Sequence, residues 1–129
     1  MGYVTRQKRV LSAVFEGAER PLTASEICAA ARRRLPSLGI ATVYRAIRQF
    51  VSDGRVRAVE VPGAPRHYEP ATSHHHHFFL CHRCKRLFDL IGCRGGFDSL
   101  APKGFRVRDH EIVLYGDCAS CLRKAAWNA

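Results

Sequence analysis

Apolar residues in the first part of the chain recur with the period of a helix and fall into three segments. The first predicted helix covers residues 4–17. The second opens at the capping-box pattern Thr23-Ala-Ser-Glu26 and closes before Pro36, and the third runs from about Ala41 to Asp53. The core positions that this period predicts are Val10, Leu11, Val14 and Phe15, then Ile27, Ala31 and Leu35, then Ile40, Val43, Ile47, Phe50 and Val51.

After Gly54 the pattern becomes that of strands. Residues 55–61 are β-branched and partly alternating, 62–65 are turn residues, and 66–69 can return as a partner strand. Three helices followed by a hairpin indicate a winged helix-turn-helix, whose third helix lies in the major groove of DNA. The side chains that we expect to contact DNA are Thr42, Tyr44, Arg45 and Arg48. The alternative is a solvated polar face.

The second half of the chain has a different composition. Residues 71–129 hold five of the six cysteines and six of the seven histidines, with short strand-like runs at 78–80, 86–90 and 105–115. We therefore predict an α+β fold with a winged-helix DNA-binding domain over 1–70 and a small α/β metal-binding dimerisation domain over 71–129. Because a unit of about 60 residues is marginal on its own, it needs metal, oligomerisation or both.

Charge and hydropathy narrow the choice of partner. The net charge of +10 favours binding to a polyanion such as double-stranded DNA, although positive charge can also serve solubility alone. No apolar run approaches the roughly 18 residues of a spanning helix, and the first 15 residues lack a secretory apolar stretch. We expect a cytoplasmic protein with no membrane partner.

Two Cys-x-x-Cys motifs carry the most specific chemistry. Cys81 and Cys84 form the first and Cys118 and Cys121 the second, with 33 residues between them. Two such turns complete the tetrahedral sulfur shell that Zn²⁺ favours, which predicts one structural zinc per subunit with no open position for catalysis. A thioredoxin-type redox pair would explain only one of the two motifs.

A run of four histidines, 74–77, precedes the first motif. In an extended strand, His75 and His77 share one face, and His74 and His76 share the other. The run can therefore contribute to two further metal sites, or it can be a solvated loop. The residues that could complete such sites are His67, Glu69, Asp89, Cys93 and His110.

With these motifs, nearly the whole chain resembles the ferric uptake regulator family of metal-responsive bacterial transcription factors. Residues 40–50 resemble the family's recognition helix, and Asp53-Gly54 with Val56 resembles the start of its wing. The histidine run before Cys-x-x-Cys resembles its hinge strand, and residues 114–118 resemble its last strand and second cysteine motif. It implies a homodimer whose N-terminal winged helices bind operator DNA. It also implies that a regulatory metal, bridging the hinge strand to both domains, fixes the angle between the DNA-binding lobes.

Residue by residue, the resemblance implies that Tyr44 and Arg45 contact DNA and that the four motif cysteines hold zinc. Asp89 and Glu69 fall at carboxylate positions of the family's sensory site. His110 matches a histidine of its additional site, Cys93 falls where that site has an acidic ligand, and His75 and His77 match that site's histidine pair.

Three residues separate His77 from Cys81, where the family has two, so His75 and His77 could instead be the sensory pair. Pro21 stands where many members have a histidine ligand, and His67 is a substitute donor.

These observations predict a metal-responsive repressor that is not an enzyme and takes no organic small-molecule substrate. For its second, regulatory divalent ion the donors favour Zn²⁺, because the thiolate of Cys93 prefers zinc, and Fe²⁺ and Mn²⁺ are the alternatives. An iron- or peroxide-responsive regulator of the same family is the first alternative. A small metal-dependent hydrolase and a constitutive zinc-ribbon nucleic-acid binder are the others.

Overall fold

The computed structural model describes residues 2–71, 76–93 and 95–127, without the side chains of 2–5 and 127. The chain divides into two compact units, Met1–Ser73 and His74–Ala129. Among the described residues, no helix has the length and apolar character required to cross a membrane.

The N-terminal unit is the winged helix that the sequence predicted. Its elements are α1 (Gly2–Gly17), β1 (Leu22–Thr23), α2 (Ala24–Ala31), α3 (Ile40–Ser52), β2 (Val56–Val59) and β3 (His67–Pro70). The strands form an antiparallel sheet in the order β1-β3-β2, in which the two-residue β1 was not predicted. The hairpin of β2 and β3 is the wing.

The core of this unit follows the predicted helical stripes with two exceptions. The predicted side chains that are buried are Val10, Leu11, Phe15, Ile27, Ala31, Leu35, Val43, Ile47 and Phe50, and Val14 packs partly buried against them. Ile40 and Val51 were predicted in the core but are 41% and 37% exposed. The buried side of α3 is formed by Val43, Ile47 and Phe50. Ile40 is the first residue of the helix and Val51 lies beside this buried side, so both side chains remain partly in solvent.

Helix α2 is shorter than predicted. It ends at Ala31, and the amides of Arg33 and Arg34 bond to carbonyls three residues back, at 3.3 and 3.1 Å. Pro36 disfavours the helical conformation at Leu35, so the chain leaves the helix as tight turns before it reaches the proline. Leu35 still contributes to the core from outside the helix.

The C-terminal unit is one short sheet with a helix. Its elements are β4 (His77–Cys81), β5 (Leu87–Leu90), a 3-10 helix (Phe97–Leu100), β6 (Val113–Gly116) and α4 (Ala119–Trp127). The central strand β4 pairs antiparallel with β5 and parallel with β6. The predicted strand over 105–115 was wrong for residues 105–112, which are irregular and mostly exposed, and α4 was not predicted.

Apolar burial in this unit is slight. Among its described residues only His77, Leu80, Cys81, Leu87 and Cys118 are buried, and two of these five are cysteines. The N-terminal unit, by contrast, contains the entire hydrophobic core cluster. The C-terminal sheet therefore needs something other than an apolar core to hold it together.

The capping box of α2 gives a first test. Thr23 Oγ1 accepts from the amide of Glu26 at 3.2 Å, and the amide of Thr23 donates to Glu26 Oε1 at 3.1 Å. We expect Thr23→Ala to lower the free energy of unfolding by about 1 kcal/mol, because it leaves a helix N-terminal amide without its acceptor. Urea unfolding followed by circular dichroism measures this. Ser25→Ala, on the exposed first turn, is the control, and equal stabilities of the two variants would contradict the capping role.

Candidate metal centres and nucleic-acid interface

The polar face of α3 presents the residues that the sequence predicted to contact DNA. Tyr44 is 47% exposed, Arg45 and Arg48 are exposed, and Thr42 is half-buried. A guanidinium nitrogen of Arg45 donates to Thr42 Oγ1 at 3.1 Å, and this bond keeps the Arg45 side chain alongside α3. Guanidinium, hydroxyl and aromatic groups on one exposed face can make phosphate, hydrogen-bonding and apolar contacts to a duplex.

Strand pairing brings the four motif cysteines to one end of the C-terminal sheet. Cys81 ends β4, and the turn into β5 carries Cys84. Because β6 runs parallel to β4, with Gly116 opposite Cys81, its carboxyl end meets that of β4 and delivers Cys118 there. Cys121 follows three residues later in α4, on the same side of the helix.

The cysteine sulfur atoms have the spacing of a zinc-sulfur tetrahedron. Sγ of Cys81 lies 3.8 Å from Sγ of Cys121, and Sγ of Cys84 lies 3.8 Å from Sγ of Cys118. Four Zn–S bonds of about 2.3 Å in a tetrahedron require sulfur atoms about 3.8 Å apart, whereas a disulfide would require about 2.0 Å. The four cysteines are free thiols in one cluster, which fits a closed structural zinc site.

Backbone amides point at the sulfur atoms of Cys81 and Cys118 and favour the charged form of these two thiols. The amides of Cys118 and Cys84 donate to Sγ of Cys81 at 3.3 and 3.5 Å. Burial raises the pKa of Cys81, but these amide donors outweigh burial and lower that pKa to about 6. Since the thiolate is the form that binds zinc, the backbone prepares this ligand at neutral pH.

The other end of the same sheet gathers a second donor cluster. His77 begins β4, Cys93 lies just beyond the end of β5, and His110 precedes β6. Their ligand atoms all lie within 4.8 Å of one another, and Sγ of Cys93 is 3.0 Å from Nε2 of His110. The amide of Ile112 donates to Nδ1 of His77 at 3.1 Å, so a neutral His77 carries its proton on Nε2. An ion bound to a neutral His77 must displace that hydrogen bond, because Nδ1 then holds either the ion or the ring proton.

His76 and Asp89 lie on the other face of the sheet. Asp89 is opposite Phe78 in the register of β4 and β5, and His76 shares a face with Phe78 because side chains alternate. Nε2 of His76 is 3.3 Å from Oδ1 of Asp89. His76 and His77 therefore contact different donor groups, as the alternation predicted. His74 and His75 lie outside the described residues.

The remaining candidate ligands belong to the N-terminal unit. His67 is fully buried in β3, where its Nδ1 is 2.7 Å from the carbonyl oxygen of Pro65, and its Nε2 has no hydrogen-bond partner among the described residues. Glu69 is 5% exposed, and Nε of Arg57 donates to its Oε1 at 2.7 Å. The sequence reading missed Arg57, which the hairpin register places directly opposite Glu69.

Removal of one motif cysteine tests the sulfur site. We expect Cys118→Ser to lose bound zinc and the order of the C-terminal sheet, because that unit has almost no apolar core to replace the metal. Metal analysis and amide exchange of the full chain measure both. Cys28→Ala, a change of a buried cysteine in α2, is the control. A Cys118→Ser protein that retained tightly bound zinc and a protected sheet would contradict the assignment.

Comparison with known proteins agrees with this geometry. The Ferric uptake regulator family profile matches residues 3–115. The peroxide operon regulator of Bacillus subtilis (strain 168) is 27% identical over 126 residues, covering 94% of this chain and 85% of that protein. The ferric uptake regulation protein of Shigella flexneri is 35% identical over 86 residues, covering 64% of this chain and 57% of that protein. A solved zinc-bound manganese uptake regulator has the same fold, with a TM-score of 0.74 at 23% identity over 87% of each chain.

Proteins of this family are metal-responsive regulators of transcription and not enzymes, so the hydrolase alternative is wrong for a member. Because the profile match covers most of the chain, this protein belongs to the Ferric uptake regulator family.

Proposed function

We propose that this protein is a zinc-responsive repressor that binds operator DNA as a homodimer. One observation carries the proposal: a polar, cationic helix face in one compact unit is joined to a second unit that holds both a closed sulfur site and further donor groups. The closed site suits a permanent structural ion. The histidine, cysteine and carboxylate donors outside the four-cysteine site are therefore the candidates for binding the sensed ion.

Donor chemistry favours zinc as the sensed ion. Cys93 contributes a thiol to the cluster with His77 and His110, and thiolate ligands favour zinc over Fe²⁺ and Mn²⁺. The nitrogen and oxygen donors of His76 and Asp89 also suit iron, which supports the iron- or peroxide-responsive alternative. The related protein from Bacillus subtilis is named a peroxide operon regulator, and the one from Shigella flexneri a ferric uptake regulation protein.

Regulation requires a difference in affinity between two states. The donors of the C-terminal unit must hold their ion more tightly in the DNA-binding conformation than in other conformations. An ion that binds all conformations equally well does not change their populations. A coupling free energy of about 1–3 kcal/mol would strengthen operator binding by roughly 5–150-fold.

Dimer formation would place two α3 helices on successive turns of the major groove, about 34–36 Å apart. The C-terminal unit has exposed apolar side chains that support self-association: Ile91 is 90% exposed, Leu100 80% and Phe105 68%. The net charge of +10 supports the contacts with phosphates.

Metal-resolved DNA binding tests the sensing role. A duplex selected from a random pool by the zinc-loaded protein serves as the probe, at fixed salt and without oxygen. We expect added Zn²⁺ to tighten binding by roughly 5–150-fold over protein that holds only its structural ion, and Mn²⁺ to do less. Equal affinity under all metal conditions would instead indicate a constitutive binder, and a response to Fe²⁺ alone would indicate the iron alternative.

A pair of charge-matched variants tests the DNA face. We expect Arg48→Ala to weaken binding by about 1–3 kcal/mol if the side chain reads a base, or to reduce the salt slope by about one unit if it contacts a phosphate. Arg123→Ala removes the same charge from the exposed side of α4 and should leave affinity nearly unchanged. Equal losses in the two variants, measured by fluorescence anisotropy, would mean that α3 has no special role.

A further inference from the structure

Two ion pairs cross the hairpin of β2 and β3, and they differ in burial. Arg66 pairs with Glu60 near the turn, where the side chains are 57% and 66% exposed. Arg57 pairs with Glu69 farther from the turn, where the arginine side chain is 40% exposed and the carboxylate side chain only 5%. A carboxylate buried to that extent is costly unless a countercharge lies close to it. Arg57 therefore supplies a charge that Glu69 requires, whereas the exposed pair contributes little to stability.

Strand register fixes the geometry of the buried pair. Arg57 is directly opposite Glu69, and its Nε donates to Oε1 at 2.7 Å while a terminal guanidinium nitrogen lies 2.5 Å from the same oxygen. On the other side of β3, strand β1 pairs with Leu22 opposite Tyr68, so the next residue in that register, Pro21, falls opposite Glu69. Pro21 is fully buried and has no side-chain ligand atom. Of the two strands beside β3, one thus brings a cation to Glu69 and the other brings no side-chain donor.

This ion pair obstructs the binding of a metal ion to Glu69. A cation that binds there needs a lone pair of a carboxylate oxygen, and Oε1 already accepts from the guanidinium of Arg57. Two positive charges a few ångströms apart also repel each other strongly where water is excluded. The carboxylate is fixed by its place on the central strand β3, whereas the partly exposed guanidinium can move into water. Binding of an ion to Glu69 is therefore an exchange of one cation for another.

We propose that Arg57 is a built-in competitor for Glu69, which raises the concentration of divalent cation needed to occupy any site that includes this carboxylate. In the exchange, Oε1 forms a bond to the ion, and the guanidinium leaves with its charge and all its protons. The inference rests on the proposed function only for its regulatory consequence. Because Glu69 is one of the expected ligands of the regulatory ion, Arg57 would set the metal concentration at which the protein responds.

Manganese affinity tests the competition, because Mn²⁺ prefers oxygen donors and its free form is measured by electron paramagnetic resonance. Mn²⁺ is added to full-length protein that retains its structural zinc. We expect Arg57→Met, which keeps the apolar stem and removes the charge, to bind Mn²⁺ about 10–150-fold more tightly than the unaltered chain. This factor corresponds to the net strength of hydrogen bonds to a charged group. In the double variant Arg57→Met, Glu69→Gln the gain should disappear.

Arg66→Met is the matched control. It removes the same charge from the exposed pair of the same hairpin and should leave the Mn²⁺ affinity unchanged. Arg57→Gln is a second test variant, because its amide can still donate to the buried carboxylate and so preserve folding while the charge is lost. It should also bind Mn²⁺ more tightly than the unaltered chain, and circular dichroism checks that each variant is folded.

Three results would overturn the competitor role. The first is an unchanged Mn²⁺ affinity in the Arg57 variants that fold. The second is a gain in affinity that persists when Glu69 is replaced by glutamine. The third is an equal gain in Arg66→Met, which would show that Mn²⁺ responds to the net charge of the hairpin and not to the carboxylate that Arg57 holds.

The competitor role and the zinc-responsive function fail separately. If the Mn²⁺ affinities follow the expectation but operator affinity does not depend on metal, the competitor role stands and the proposed function is wrong. If operator binding responds to zinc but Mn²⁺ affinity is the same in the Arg57 variants as in the unaltered chain, the function stands and the competitor role is wrong.

Discussion

Four cysteine sulfur atoms meet at the carboxyl end of β4, in a unit that has almost no apolar core. Sγ distances of 3.8 Å match a zinc tetrahedron, while the only buried aliphatic side chains described in that unit are Leu80 and Leu87. Burial of two leucines contributes about 3–6 kcal/mol, whereas structural zinc sites supply apparent free energies of about 10–16 kcal/mol. An ion held by the four cysteines would therefore contribute more to the folding of this half of the chain than its apolar core does.

The parallel pairing of β4 with β6 has consequences at both ends of the sheet. At one end it delivers Cys118 to Cys81, and at the other it places the residues before β6, among them His110, beside the start of β4. The short sheet thus has a donor cluster at each of its two ends. The winged helix carries the exposed, cationic face of α3 in the other compact unit.

Sequence patterns predicted the features that depend on local spacing. Helical period predicted the winged helix, and paired cysteines at fixed spacing predicted the sulfur cluster. The pattern failed where long-range contacts decide: residues 105–112 alternate like a strand, yet only the last of them, Ile112, bonds to a neighbouring strand, through its carbonyl to the amide of Phe78. Helix α4 was missed because Cys118 and Cys121 were interpreted only as a turn, although a three-residue spacing also suits one face of a helix. The ion pair between Arg57 and Glu69 depends on hairpin register, which sequence alone leaves open.

X-ray absorption at the zinc edge of protein that carries one zinc per chain tests whether the four cysteines hold that ion. We expect a single shell of four sulfur atoms at about 2.3 Å and no nitrogen or oxygen shell at 2.0–2.1 Å. A shell that mixes sulfur with nitrogen or oxygen in that most tightly held zinc would contradict it, because the ion that folds the unit would then lie outside the four cysteines.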